Sequence, residues 1–144
     1  MSSLCVLCPD NVVLLLGEND SKRFSDPETL AFKLILLASQ LHRTYHVKQI
    51  VLCQLLPRFT LPGYIPVNYC DVARSVNENL RTAVTFYPYI AFWEHNDTFP
   101  FPVHRKDCSD KFRADGVHLS NKGQWYLFKS HRGAILAACK RLEA

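Results

Sequence analysis

Two short polar segments carry the residue types best suited to catalysis. Residues 115–118 (DGVH) place a carboxylate three positions before an imidazole, and residues 17–20 (GEND) follow an apolar run. Histidine is the side chain whose ordinary pKa lets it take a proton from a hydroxyl and return it near neutral pH. A carboxylate on the same turn can accept the other ring N–H, which fixes the tautomer and stabilises the imidazolium. The pattern predicts that His118 is a general base and that Asp115 orients it.

The side-chain amide of Asn19 adds a hydrogen-bond donor to this chemistry. It lies just beyond a short apolar run that is typical of a buried strand, and such a strand can hold the amide in a fixed position. An amide donor aimed at the oxyanion that forms on an attacked carbonyl contributes roughly 3 to 4 kcal/mol where such donors have been removed. Asn19 is therefore a candidate oxyanion-hole residue.

Strand and helix signals alternate along the chain in the order βαβαβα. Continuous apolar runs predict strands over 11–17, 47–56 and 89–93. Apolar residues at helical spacing predict a first helix from the capping segment 25–28 to about Tyr45 and a second helix over 69–84. Ser120 can cap a third helix. The apolar stripe of this third helix is formed by Trp125, Phe128, Ile135, Leu136 and Cys139. Parallel pairing with right-handed crossovers is the default for this order, and active sites of α/β proteins lie beyond the ends of such strands.

The two polar motifs, in this order and after these strands, resemble those of the SGNH (GDSL-like) hydrolase family. In that family a GxND block supplies the oxyanion-hole Asn and a DxxH block supplies the Asp and His of a Ser-His-Asp system. Leu119 and Gly123 match the usual continuation DxxHLxxxG, and residues 77–81 (NENLR) resemble the helix before the last strand of the family. The resemblance covers nearly the whole chain.

The resemblance implies a fold, an activity and a set of site residues. The fold is a flavodoxin-like, three-layer α/β/α sandwich with a parallel sheet, and the activity is hydrolysis of a small ester or acylated substrate without a cofactor. Asp115 and His118 take the catalytic positions, and Asn19 together with Gly17 takes the oxyanion hole.

The nucleophile segment of the family has no counterpart that we can find in the sequence. In the family the Ser ends the first strand in a GDS-like block, and a Gly in a second block donates another oxyanion N–H, both before GxND. Only 16 residues precede Gly17, whereas one βαβ unit takes roughly 30 residues or more. None of Ser2, Ser3, Ser21, Ser109 and Ser120 has the expected position. We therefore expect a single SGNH-like domain over 1–144 that is incomplete at its N-terminus and has negligible turnover by itself.

Two other classes of function remain open. A non-catalytic binding or scaffold domain with the same fold would tolerate Asn19→Ala and His118→Ala. A nucleic-acid partner would use the basic segment after residue 103 and bind with steep salt dependence, although no recognised nucleic-acid motif supports it. The net charge of +4 arises from that segment, which holds Arg105, Lys106, Lys111, Arg113, Lys122, Lys129, Arg132, Lys140 and Arg141.

The cysteines and the remaining histidines are assigned no role. Of the six cysteines, Cys5 and Cys8 form a CxxC without a second pair at ligand spacing, and Cys53 lies in an apolar run where a reduced thiol packs as a small hydrophobe. His42 and His46 lack the Glu of a zinc-protease motif. His95, His104 and His131 have no evident partners in the sequence, so no metal site is predicted.

The first residues predict neither a signal peptide nor a membrane span. They lack a basic leader, and Pro9, Asp10 and Asn11 interrupt their apolar character. We expect a cytoplasmic protein without membrane association.

Overall fold

The computed structural model describes residues 7–18, 26–59, 69–95, 98–101 and 109–144. Three strands form a parallel sheet in the order β1-β2-β3, and they span Asn11–Leu14, Gln49–Cys53 and Ile90–Trp93. Within these ranges three helices of more than one turn accompany the strands: α1 (Pro27–Tyr45), α2 (Tyr69–Ala83) and α3 (Asn121–Glu143). Short 3-10 turns occupy Val84–Phe86 and Ser109–Lys111. The βαβαβα order predicted from the sequence is confirmed.

The central residues of the strands are apolar on both faces of the sheet, because helices cover both faces. On one face Ile50 and Ile90 pack in a core with residues of α1 and α2 such as Leu34 and Val76. The next residue along each strand points to the other face of the sheet. The core on that face consists of Val51, Cys53 and Ala91 with Ala134 and Ala138 of α3. The molecule is thus a three-layer α/β/α sandwich, as the sequence predicted.

Local capping sets the ends of the helices. The Asp26 carboxylate accepts from the backbone N–H groups of Glu28 and Thr29 at the start of α1, and His46 ends that helix in the left-handed region at φ 57°. Ser120 caps α3, because its hydroxyl oxygen accepts from the N–H of Gly123 at 3.1 Å. Both predicted N-terminal caps are therefore confirmed.

The second strand is shorter than the predicted segment 47–56. It ends at Cys53: the Gln54 N–H still donates to the Trp93 carbonyl at 2.8 Å, but the two backbone N–H groups after it find side-chain partners in place of strand partners. The N–H of Leu55 donates to Asn77 Oδ1 at 2.8 Å, and the N–H of Leu56 donates to Glu18 Oε1 at 3.1 Å. These bonds turn the chain away from the sheet while leaving the amides paired.

Small residues form the buried face of α3. Gly123, Ala134 and Ala138 are buried, whereas the predicted apolar stripe is largely exposed, with Trp125, Phe128, Ile135 and Leu136 each at least 47% accessible. The helix lies close to neighbouring backbone, since a Cβ on Gly123 would come 1.9 Å from the carbonyl oxygen of Lys111. The helix prediction is confirmed, and the apolar stripe traced in the sequence lies mostly on the exposed side of the helix.

None of the helices in the described part of the chain combines the length and apolar character that crossing a bilayer requires.

Candidate active site

Asp115 and His118 form a hydrogen-bonded pair on one tight turn. Asp115 Oδ2 lies 2.5 Å from His118 Nδ1, and Asp115 Oδ1 accepts from the backbone N–H groups of Val117 and His118, both at 2.9 Å. The hydrogen bond from His118, followed by the two backbone donors, holds the pKa of the Asp115 carboxyl well below its usual range. The carboxylate therefore stays ionised at neutral pH and fixes the orientation of the imidazole.

The pairing with Asp115 occupies Nδ1 of His118 and leaves Nε2 for chemistry. The His118 side chain is 71% exposed, and within the described residues no group hydrogen-bonds to Nε2. A ring that is anchored through one nitrogen and open at the other has the arrangement of a general base.

Gly116 fixes the position of this turn relative to the sheet. The backbone N–H of Phe59 donates to the Gly116 carbonyl oxygen at 2.7 Å, and the N–H of Gly116 donates to the carbonyl of Arg113 at 2.9 Å. Gly116 has a positive φ of 67°, and a Cβ built there would come within 1.6 Å of the Phe59 carbonyl oxygen. Only glycine allows this approach of two backbone segments.

An apolar cluster places the turn at the carboxyl edge of the sheet. The cluster contains residues that follow each of the three strands and residues that flank the turn. Its members are Leu15, Leu56, Phe59, Phe99, Phe112, Leu119 and Leu127. The Asp–His pair therefore lies beyond the carboxyl ends of parallel strands, where the sequence placed the site.

The first residues of the other polar motif contact the same segment after β2. Gly17 is buried with a φ of 105°, and a Cβ built on it would lie 3.4 Å from a methyl carbon of Leu55. The Glu18 carboxylate accepts from the Leu56 N–H. Asn19, the predicted oxyanion donor, lies outside the described residues. The start of the GEND segment and the DGVH turn thus both pack on residues 54–59.

Two buried side-chain amides for which the sequence predicts no role hold this edge together. Asn77 accepts from the N–H of Leu55 at 2.8 Å and donates to its carbonyl at 3.3 Å, so one side chain satisfies both backbone groups. Gln54 donates to the Phe99 carbonyl at 2.7 Å and accepts from the His95 N–H at 2.8 Å. Gln54 interrupts an apolar run, and that interruption is the signal that could have identified it.

The described serines do not supply a partner for His118. The Ser120 hydroxyl is engaged as the cap of α3 and donates to the Asp110 carbonyl at 2.7 Å. Ser109 is exposed in a 3-10 turn. Ser2, Ser3 and Ser21 lie outside the described residues.

Several basic side chains of the C-terminal segment are engaged within the chain. Lys122 pairs with Asp110, Lys111 donates to the Thr98 carbonyl at 2.7 Å, and Lys129 lies 4.3 Å from the centroid of the Tyr126 ring. Arg105 and Lys106 lie outside the described residues. These contacts give the three lysines a role within the fold.

The prediction that His95 and His131 lack partners is wrong. His95 is buried, its Nδ1 lies 2.7 Å from Ser130 Oγ, and its ring centroid is 5.4 Å from that of His131. His42 stacks on Tyr89 with centroids 3.8 Å apart. His104 lies outside the described residues.

Comparisons with known proteins support the fold. No family model matches the chain, and no curated protein matches it. Among solved structures the chain is similar to one from Streptococcus pneumonia described as "a putative platelet activating factor", with a TM-score of 0.72 and 21% sequence identity. The match covers 87% of this chain and 59% of that chain. At this identity the likeness shows the fold, so the fold and the site together define a three-layer α/β/α protein with an Asp–His pair at the carboxyl edge of its sheet.

Proposed function

We propose that this chain carries the acid–base and oxyanion part of an SGNH-type ester hydrolase. The observation that carries the proposal is the anchored imidazole of His118, with Nδ1 held 2.5 Å from the Asp115 carboxylate and Nε2 left open at the carboxyl edge of a parallel sheet. The shared fold with the streptococcal protein, which is named after platelet activating factor, supports a hydrolase-type function.

The proposed reaction uses each residue for one task. His118 Nε2 takes the proton of a hydroxyl as its oxygen attacks the ester carbonyl, and the protonated ring then passes that proton to the leaving alcohol. Asp115 stabilises the imidazolium. The amide of Asn19 donates to the carbonyl oxygen as it becomes negatively charged, assisted by the backbone of the Gly17 turn.

The nucleophilic hydroxyl is assigned to none of the described serines, because none of them hydrogen-bonds to His118. Ser2, Ser3 and Ser21, which lie outside the described residues, do not match the nucleophile position of the family either, so no serine of this chain is assigned that role. Water, or a small alcohol added to the assay, can take its role at a lower rate, since the base and the oxyanion donor do not depend on the identity of the hydroxyl.

The test is acyl transfer from 4-nitrophenyl acetate by the full chain, with and without added methanol as an external hydroxyl. The wild type is compared with His118→Ala and Asn19→Ala, and His46→Asn serves as the control because His46 is an exposed histidine at the end of α1. We expect the protein-dependent rate to be low without methanol and to rise when methanol is added, His118→Ala to abolish that rise, and His46→Asn to leave it unchanged. Equal rates for the wild type and His118→Ala would contradict the proposal.

Mass spectrometry of the protein after the reaction tests whether the chain supplies a nucleophile of its own. We expect no serine to carry an acetyl group that depends on His118, because no serine matches the nucleophile position of the family. Acetylation of any serine that is lost in His118→Ala would overturn this assignment.

A further inference from the structure

A second cluster of reactive side chains lies on the α3 side of the sheet. Cys53 ends β2, His95 lies two residues beyond β3, and His131 projects from α3. The Sγ atom of Cys53 and one ring nitrogen from each histidine all lie within 4.8 Å of one another. These three elements are far apart in the sequence, and the cluster exists only because the fold brings them together.

Two of the nitrogen atoms in this cluster are buried without hydrogen-bond partners. Nε2 of His95 and Nε2 of His131 have no partner in the described part of the chain, and the His95 side chain is only 1% exposed. Buried polar atoms are nearly always paired, and each one left unpaired is unfavourable. Two such atoms beside a buried thiol indicate that a ligand completes the cluster.

The surroundings of His95 resemble the support that metal ligands receive. His95 Nδ1 lies 2.7 Å from Ser130 Oγ, and Trp93 Nε1 donates to the same oxygen at 3.0 Å. A histidine that binds a metal through one nitrogen usually donates its other ring N–H to a protein oxygen, which fixes the tautomer. With Nδ1–H donating to Ser130, the lone pair on Nε2 is available to a cation.

The cluster is shielded from solvent. The Cys53 side chain is 2% exposed and that of His95 is 1% exposed. Burial disfavours the charged forms of these side chains when no cation is bound. A cation at this place would therefore be held by neutral imidazoles and by a thiol that loses its proton on binding.

We propose that Cys53 Sγ, His95 Nε2 and a ring nitrogen of His131 bind a zinc ion. Thiolate and imidazole are the ligands that Zn²⁺ prefers, at bond lengths of about 2.3 and 2.0 to 2.1 Å. On binding, the Cys53 S–H bond breaks, its proton passes to solvent, and the sulfur forms the metal bond. Water takes the fourth position.

The ion has a structural task in this proposal. It ties the ends of β2 and β3 to α3, the helix that begins directly after the DGVH turn. The buried ring of Phe99 packs edge-on against both His95 and Phe112, with centroid distances of 6.5 and 5.8 Å. The cluster shares no residue with the Asp115–His118 pair, so the zinc proposal does not rest on the proposed hydrolase function.

The test is titration of the reduced, metal-free full chain with Co²⁺, which replaces Zn²⁺ and reports thiolate ligation by a charge-transfer band in the near ultraviolet. We compare the wild type with Cys53→Ala and His131→Gln, and with Cys139→Ala as the matched control for an exposed thiol on α3. We expect one equivalent of Co²⁺ to produce the band in the wild type and in Cys139→Ala, Zn²⁺ to abolish it, and both site variants to lack it.

Thermal unfolding gives a second readout. Zn²⁺ at about 100 times its dissociation constant is expected to raise the Tm of the wild type by roughly 5 to 10 °C and to leave that of Cys53→Ala unchanged. Absence of the cobalt band in the folded wild type overturns the proposal, and so does a band that persists in Cys53→Ala, because other thiols would then be the ligands. If Cys53→Ala does not fold, His131→Gln and the wild-type titration decide the question.

Discussion

The backbone N–H of Phe59 donates to the carbonyl oxygen of Gly116, and this one bond joins the segment after β2 to the turn that carries Asp115 and His118. The two backbones approach so closely that no side chain fits at Gly116. The position of the proposed general base is thus determined by a contact between two loops that lie far apart in the sequence.

Replacing Gly116 with alanine is expected to destabilise the fold and displace His118. The new Cβ would meet the Phe59 carbonyl at 1.6 Å, and alanine at a φ of 67° is strained. We expect a loss of about 2 to 4 kcal/mol in the free energy of unfolding, measured by urea denaturation. Ala114→Gly, an exposed change in the same turn, is the control and should cost less than about 1 kcal/mol. A Gly116→Ala variant as stable as the control would contradict the close approach.

Replacing Asp115 with asparagine is expected to change how stability depends on pH. The folded state lowers the pKa of Asp115, chiefly through its hydrogen bond with His118, so the ionised carboxylate stabilises the fold at pH values above its ordinary pKa. That contribution is lost as the pH falls through the lowered pKa. At pH 7 the wild type should therefore unfold at a higher urea concentration than Asp115→Asn. The difference between the two urea midpoints should shrink progressively below about pH 4. Asp71→Asn, which removes an exposed carboxylate from α2, is the control. A difference in urea midpoint between the wild type and Asp115→Asn that stays constant down to pH 2 would argue against the pairing.

The sequence predicts most of the fold because the decisive signals are local. A short apolar run with an apolar residue on each face indicates a strand buried on both sides, and the structure places Val51 and Ile50 on opposite faces as expected. Asp26 and Ser120 act as caps through hydrogen bonds to residues two or three positions away. Such contacts depend on neighbours in the chain, so the sequence contains all that is needed to predict them.

The part that could not be predicted depends on contacts between distant segments. Cys53, His95 and His131 have no spacing that marks them as a cluster, because each comes from a different element. The apolar periodicity of residues 121–143 predicts a helix, but it does not predict which side of that helix faces the sheet. That side depends on how close the neighbouring backbone lies, and only small residues fit where it lies close. Asn19 remains a prediction, since it lies outside the described residues.

Removing the hydroxyl of Ser120 is expected to weaken α3 without abolishing chemistry. The hydroxyl accepts from the Gly123 N–H at the first turn of the helix and donates to the Asp110 carbonyl. Ser120→Ala should lower the free energy of unfolding by about 1 kcal/mol, measured by urea denaturation. Ser109→Ala, at an exposed position in a 3-10 turn, is the control and should change it by less than about 0.5 kcal/mol. Loss of acyl transfer in folded Ser120→Ala would show that this hydroxyl takes part in the reaction and would count against its role as a cap alone.

Replacing Asn77 with alanine is expected to release the segment after β2 from the sheet. The Asn77 side chain pairs with both the N–H and the carbonyl of Leu55, and its loss leaves these two buried backbone groups without their partner. At roughly 1 to 3 kcal/mol for each unpaired group, we expect a loss of about 2 to 4 kcal/mol in the free energy of unfolding. Hydrogen exchange should show the Leu55 amide becoming far less protected, whereas Asn79→Ala, a half-buried position on the same helix, should leave it protected. Equally slow exchange of the Leu55 amide in both variants would show that the segment after β2 is held in place without the Asn77 contact.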